Sequence, residues 1–80
     1  MHETHLIQPV IKGIVEHSQK EGAQKVTTVR LKLGQFLGIK EESFREIFTA
    51  LSQGTILEGA KLELTEFPAY RIEVVSFDIE

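Results

Sequence analysis

The sequence predicts an α+β domain, α/β in the broad sense, with two helices packed on one face of a three-stranded mixed sheet. The predicted order is helix, strand, helix, strand, strand. Three observations predict it. Two segments carry apolar residues at three- and four-residue spacing, which makes a stripe on a helix. Three shorter segments alternate apolar and polar residues, which makes one buried face on a strand. A helical segment lies between the first two strands, and a right-handed crossover of that kind makes the strands it joins parallel.

The first helix follows Thr4, a plausible N-cap, and runs to about Lys20. Leu6, Ile7, Val10, Ile11, Ile14 and Val15 form its stripe. Pro9 is harmless only in a first turn, so the helix either starts nearer Gln8 or bends. Glu21-Gly22 ends it, with Gly22 suited to a left-handed C-cap. The first strand is Lys25 to Leu33, where Val29, Leu31 and Leu33 alternate with Arg30 and Lys32. Gly34 to Gly38 is a loop. Its Phe36 and Leu37 are expected to pack over the end of the core; the alternative is a patch that faces a partner.

Glu41, Glu42 and Ser43 open the second helix, where carboxylates complement the helix dipole. Phe44, Ile47, Phe48 and Leu51 mark its buried stripe, and Gly54 closes it. Residues 55–60 cross to a second strand, Lys61 to Phe67, with Leu62 and Leu64 inward. Pro68-Ala69 breaks the run. Tyr70 to Ile79 is the third strand. Its inward set shifts from Ile72 and Val74 to Val75, Phe77 and Ile79, which predicts a bulge near Val74-Val75. The short link predicts that the last two strands form an antiparallel hairpin.

Composition narrows the function. The chain has 80 residues, 41% hydrophobic and 26% charged, which is one ordinary globular domain. A chain this short buries only about 60% of the surface it exposes when unfolded. It has no cysteine to add a disulfide or a thiolate zinc site. Association often stabilises such small scaffolds, and the expectation is a homodimer. A net charge of −3 without a basic run argues against nucleic acid and anionic membrane. No run is long and apolar enough to span a bilayer, and the start has no signal-peptide pattern, so the expected location is cytoplasmic.

No nucleophile elbow, phosphate loop or dinucleotide fingerprint is present, and the chain is not expected to be an enzyme. The chemistry sits at the start, Met1-His2-Glu3. The terminal amine, the His2 main-chain nitrogen and the His2 imidazole can close small chelate rings on one ion. Nitrogen-rich tetragonal sets of this kind suit Cu(II) or Ni(II). Bulky His2 disfavours removal of Met1. The bland alternative is a solvated chain start. His5, three residues after His2, is an accessory metal candidate or simply a helix-start histidine. His17 lies off the apolar stripe and is expected to be solvated.

Several segments together resemble the HypA/HybF family of hydrogenase nickel incorporation proteins. They are Met1-His2-Glu3, the run from Gly22 to Val26 before a strand, Leu33-Gly34 at a strand end, and the run from Gly54 to Ala60 before the next strand. The resemblance implies a metallochaperone for Ni(II), with Met1, His2 and Glu3 as the metal site and His2 supplying the imidazole. It implies partners among nickel-enzyme maturation proteins, such as a hydrogenase or urease accessory GTPase. Two departures stand out. Members of the family insert a cysteine-bearing zinc domain between the last two strands, whereas here Glu66 to Tyr70 runs straight on, so residues 1–80 are read as a single nickel-binding domain with no zinc. Lys40 stands where the family often has an acidic residue, with Glu41 following. The alternative function is an interaction or dimerisation domain of the same fold that no longer carries nickel.

Overall fold

The computed structural model describes residues 3–80. The expectations placed on Met1 and His2 lie outside the described residues. The elements are α1 (Glu3–Lys20), β1 (Val26–Gly34), α2 (Glu41–Ser52), β2 (Lys61–Phe67) and β3 (Ile72–Ile79), with one 3-10 turn at Gln35–Leu37. The order is the predicted one.

In α1, Ile7, Ile11 and Ile14 are buried, and Ser18 continues the same face. The helix begins one residue before the predicted cap and carries Pro9 in its interior. Proline has no N–H, so the carbonyl four residues back loses its helical donor. Pro9 is exposed. It stands on the flank of α1 that faces β3, where Pro9, Val10 and Gly13 line an open groove with Val74 and Phe77. The C-terminus is closed as predicted. Gly22 has φ +77°, and the amides of Gly22 and Ala23 donate to Gln19 O and Ser18 O, both at 3.0 Å.

In β1, Val29, Leu31 and Leu33 are buried, and Arg30 and Lys32 lie on the other face. Val26 is buried out of phase, because the register against β3 slips between Val26 and Thr28. Phe44 and Phe48 of α2 stack with ring centroids 6.3 Å apart in the centre of the core. Leu57, in the segment between α2 and β2, is buried as deeply as Leu31 and Leu33 of β1. A local network holds it there. Thr55 Oγ1 donates to Ser52 O at 2.7 Å and accepts from the Leu57 amide at 3.0 Å, and Glu58 Oε1 accepts from the Gly54 amide at 2.9 Å.

The sheet order is β2-β1-β3, with β1 parallel to β2 and antiparallel to β3. The predicted hairpin between the last two strands is therefore overturned: Leu64 pairs with Leu31, and Ile72 with Leu33. The physical reason is the quality of β1. It contributes four fully buried apolar residues, whereas β2 offers only half-buried Leu62 and Leu64. A central position lets this strand satisfy both its edges. The link 68–71 then crosses the end of β1, about two strand spacings or roughly 10 Å, which four residues can span.

The predicted bulge is present. Ser76 pairs with Arg30 and Val74 with Leu31, which leaves Val75 as the extra residue. Burial on β3 is shallower than the alternation predicts. Ile72 and Phe77 pack against the core, but Val74, Val75 and Ile79 are exposed. As an edge strand, β3 is covered only by one flank of α1.

Candidate metal centre

Strand directions decide what the fold brings to each end. Along the contact of α1 with β3, Pro9 and Val10 lie with Val74, and His17 lies edge-on to Phe77 at 5.6 Å. The two elements therefore run the same way, and both oppose β1. Since α2 returns the chain between parallel β1 and β2, it also opposes β1. One end of the molecule thus holds the starts of both helices, the C-terminal ends of β1 and β2, and the 68–71 link. In open α/β sheets that end is where ligands bind. Glu3, His5, Glu41 and Glu42 all belong to it.

Glu3 is half-buried, and its Oε1 is shielded from solvent with no hydrogen-bond partner among the described residues. A carboxylate oxygen taken out of water needs a donor or a cation. The residues that immediately precede it are Met1 and His2. Among the described residues no three of His, Asp and Glu gather closely enough to hold a metal.

The structure does not bring His5 to Glu3. At about 100° per residue their side chains leave α1 roughly 200° apart, and His5 is exposed. Glu41 is engaged elsewhere, accepting from Arg45 Nε at 3.1 Å. Lys40 precedes it as the N-cap residue, with no side-chain capping bond. Arg45 in turn donates to Leu62 O at 2.7 Å, which ties the start of α2 to β2. His17 is exposed, as expected. The loop aromatics divide. Leu37 packs against the core, whereas Phe36 is 53% exposed and leans on Tyr70, ring centroids 5.0 Å apart.

The family model for hydrogenase/urease nickel incorporation, metallochaperone, hypA, matches residues 1–72. The chain belongs to the HypA family. The hydrogenase maturation factor HypA of Beijerinckia indica is 40% identical over 68 residues, covering 85% of this chain and 60% of that protein. The HypA of Archaeoglobus fulgidus is 37% identical over 65 residues, covering 81% of this chain and 59% of that protein. This HypA-family chain therefore spans about 60% of the length of these curated relatives. The solution structure of the nickel metallochaperone HypA from Helicobacter pylori superposes with a TM-score of 0.82, at 15% identity, over 99% of this chain and 97% of that one. That likeness is one of fold.

The zinc implied by the resemblance does not fit these residues. There is no thiolate in the sequence, and the 68–71 link is only long enough to cross β1.

Proposed function

We propose that this chain is a nickel-binding module that carries Ni(II) for the maturation of a nickel enzyme. In this reading Met1, His2 and Glu3 form the site. The Met1 amine, the His2 main-chain nitrogen and the His2 imidazole supply nitrogen donors, and Glu3 supplies the carboxylate beside them. The observation that carries it is the family match over residues 1–72, which takes in the tripeptide. The shielded, unpartnered Glu3 Oε1 supports it independently. His5 is at most an accessory donor, reached only if the chain before Glu3 folds back.

The proposed recipients are nickel-enzyme maturation proteins, such as an accessory GTPase of hydrogenase or urease. The proposed setting is the cytoplasm, and no described helix is long and apolar enough to cross a membrane. The proposed assembly is a homodimer. Residues 1–80 act as one module, with no catalytic step of their own.

Nickel titration of protein with an unextended N-terminus tests this. One Ni(II) per chain is expected, with affinity rising with pH as nickel displaces protons from the amine, amide and imidazole. Cu(II) is expected to compete strongly. His2→Ala, or a short extension ahead of Met1 that turns the amine into an amide, is expected to abolish this binding; His17→Ala is not. Unchanged one-to-one binding by the extended protein would overturn the terminal chelate. An interaction domain that no longer carries nickel would bind none in any form.

A further inference from the structure

Between the C-terminal half of α2 and the start of β2 lies a crevice of about 180 Å³. It is at the opposite end of the molecule from the helix starts, so the proposed metal site has no share in it. Phe48, Leu57 and Leu62 give it apolar walls, and Ser52, Gln53 and Glu58 give it oxygen acceptors. The volume is below that of a pocket for a drug-sized ligand and suits one long side chain or a small molecule.

Electrostatics select the kind of ligand. Glu58 is the only charged residue on the lining. Its Oε1 accepts from the Gly54 amide at 2.9 Å, and no ion pair among the described residues engages it. Ser52 and Gln53 close the C-terminus of α2, the negative end of the helix dipole, and the last turn there carries no basic residue. Ser52 is only 3% exposed. Its hydroxyl proton is given to Phe48 O at 2.7 Å, so toward the crevice its oxygen can only accept. The cations next to the crevice are already engaged. Arg45 is held by Glu41 and the Leu62 carbonyl, and Lys61 lies 3.8 Å from Glu63. Apolar walls with acceptors and a carboxylate favour a cation carried on hydrocarbon and oppose an anion.

We infer that this crevice binds a primary ammonium group on a straight aliphatic chain. The chain lies along Phe48 and Leu62, and the ammonium donates to Glu58 and Ser52 Oγ. A compact ammonium suits the small volume better than the planar fork of a guanidinium does. A lysine side chain of another protein and a free alkylamine present this same chemistry. The inference is independent of nickel.

Titration of isotope-labelled protein, followed through its amide chemical shifts, tests it. The probes are n-butylammonium and N-acetyl-lysine methylamide. Saturable shifts are expected at Phe48, Ser52 and Leu57, with none at Glu41 and Glu42 at the far end. The blocked norleucine analogue keeps the hydrocarbon and lacks the ammonium, and it should bind at least about tenfold more weakly. Glu58→Gln should weaken the blocked lysine by a similar factor, while its amide oxygen still accepts from Gly54. If that variant unfolds, the lysine and norleucine probes on wild type decide the matter. Binding of both amines supports a site open to a protein's lysine, and binding of butylammonium alone supports a free amine. Norleucine that binds as tightly as lysine overturns the inference. So do shifts spread evenly over the acidic residues of the surface, or no saturable shift at the crevice with either amine.

Discussion

Gly34, the last residue of β1, lies directly beneath Ala69 of the link between β2 and β3. A side-chain carbon on Gly34 would fall on the Ala69 carbonyl oxygen and come within 2.5 Å of the Arg71 carbonyl oxygen. The same Ala69 oxygen accepts from the Phe36 amide at 3.0 Å. The absence of a side chain at Gly34 leaves room for the link to cross the end of β1.

Gly34→Ala is therefore expected to destabilise the protein by at least about 1–3 kcal/mol, since the obstacle is rigid backbone rather than a yielding side chain. Gly13→Ala is the control. Gly13 lies inside α1, and an added carbon there meets nothing within 4 Å. It should stabilise by about 0.5–1 kcal/mol through helix propensity. Urea unfolding of the two variants should move in opposite directions.

How much of this was legible varies by element. The α1 stripe, the Gly22 cap, the Phe44–Phe48 pair and the Val75 bulge are each written in spacing or in one conformationally special residue, so pattern reading finds them. Strand order is not written that way. Alternation reports which face of a strand is buried and says nothing about which neighbour it pairs with. Gly34 held the clue, but a glycine at a strand end reads equally well as a turn. Leu57 escaped because a local network, not periodicity, buries it. Ser18 and Ser52 escaped because a serine gives no apolar signal; Ser52 Oγ donates to Phe48 O at 2.7 Å, so its polarity is met within its own helix. For the proposed metal site, donor chemistry alone singles out Met1-His2-Glu3 in the sequence. The divergence of His5 from Glu3 needed the helix start.

The two classes of phenylalanine should differ sharply on truncation. Phe44 is fully buried, and Phe44→Ala is expected to cost about 3–5 kcal/mol, enough to unfold much of a small domain at room temperature. Phe36 is half-exposed beside Tyr70, and Phe36→Ala should cost under about 1 kcal/mol. Equal losses for both would show that the 3-10 turn is folded into the core.

Acid should weaken the open face of the sheet. Arg30 bridges Glu63 on β2 at 3.3 Å and Asp78 on β3 at 3.0 Å. Its hydrogen bonds hold the Asp78 carboxyl below the ordinary range, and reciprocally raise the guanidinium. A depressed carboxyl contributes stability that is fully present above its unfolded value of about 4. That contribution is lost as pH falls through the lower folded value. The melting-temperature gap between wild type and Asp78→Asn should thus be constant at neutral pH and close in strong acid. High salt should narrow it too, since the groups are exposed.

Glu3 supplies the sharpest test of the proposed metal site. Its Oε1 is shielded and meets no donor among the described residues. A shielded carboxylate oxygen is satisfied by a cation or a donor. Glu3→Gln removes the charge at nearly constant shape. With saturating Ni(II), wild type gains the interaction of a bound cation with Glu3 and the variant does not. Ligand stabilisation follows the logarithm of concentration over dissociation constant, so the nickel-induced rise in melting temperature should be smaller in Glu3→Gln at every nickel concentration. Thermal melts of both proteins, with and without Ni(II), decide it. If the variant gains as much from nickel as wild type does, Glu3 takes no part in the site.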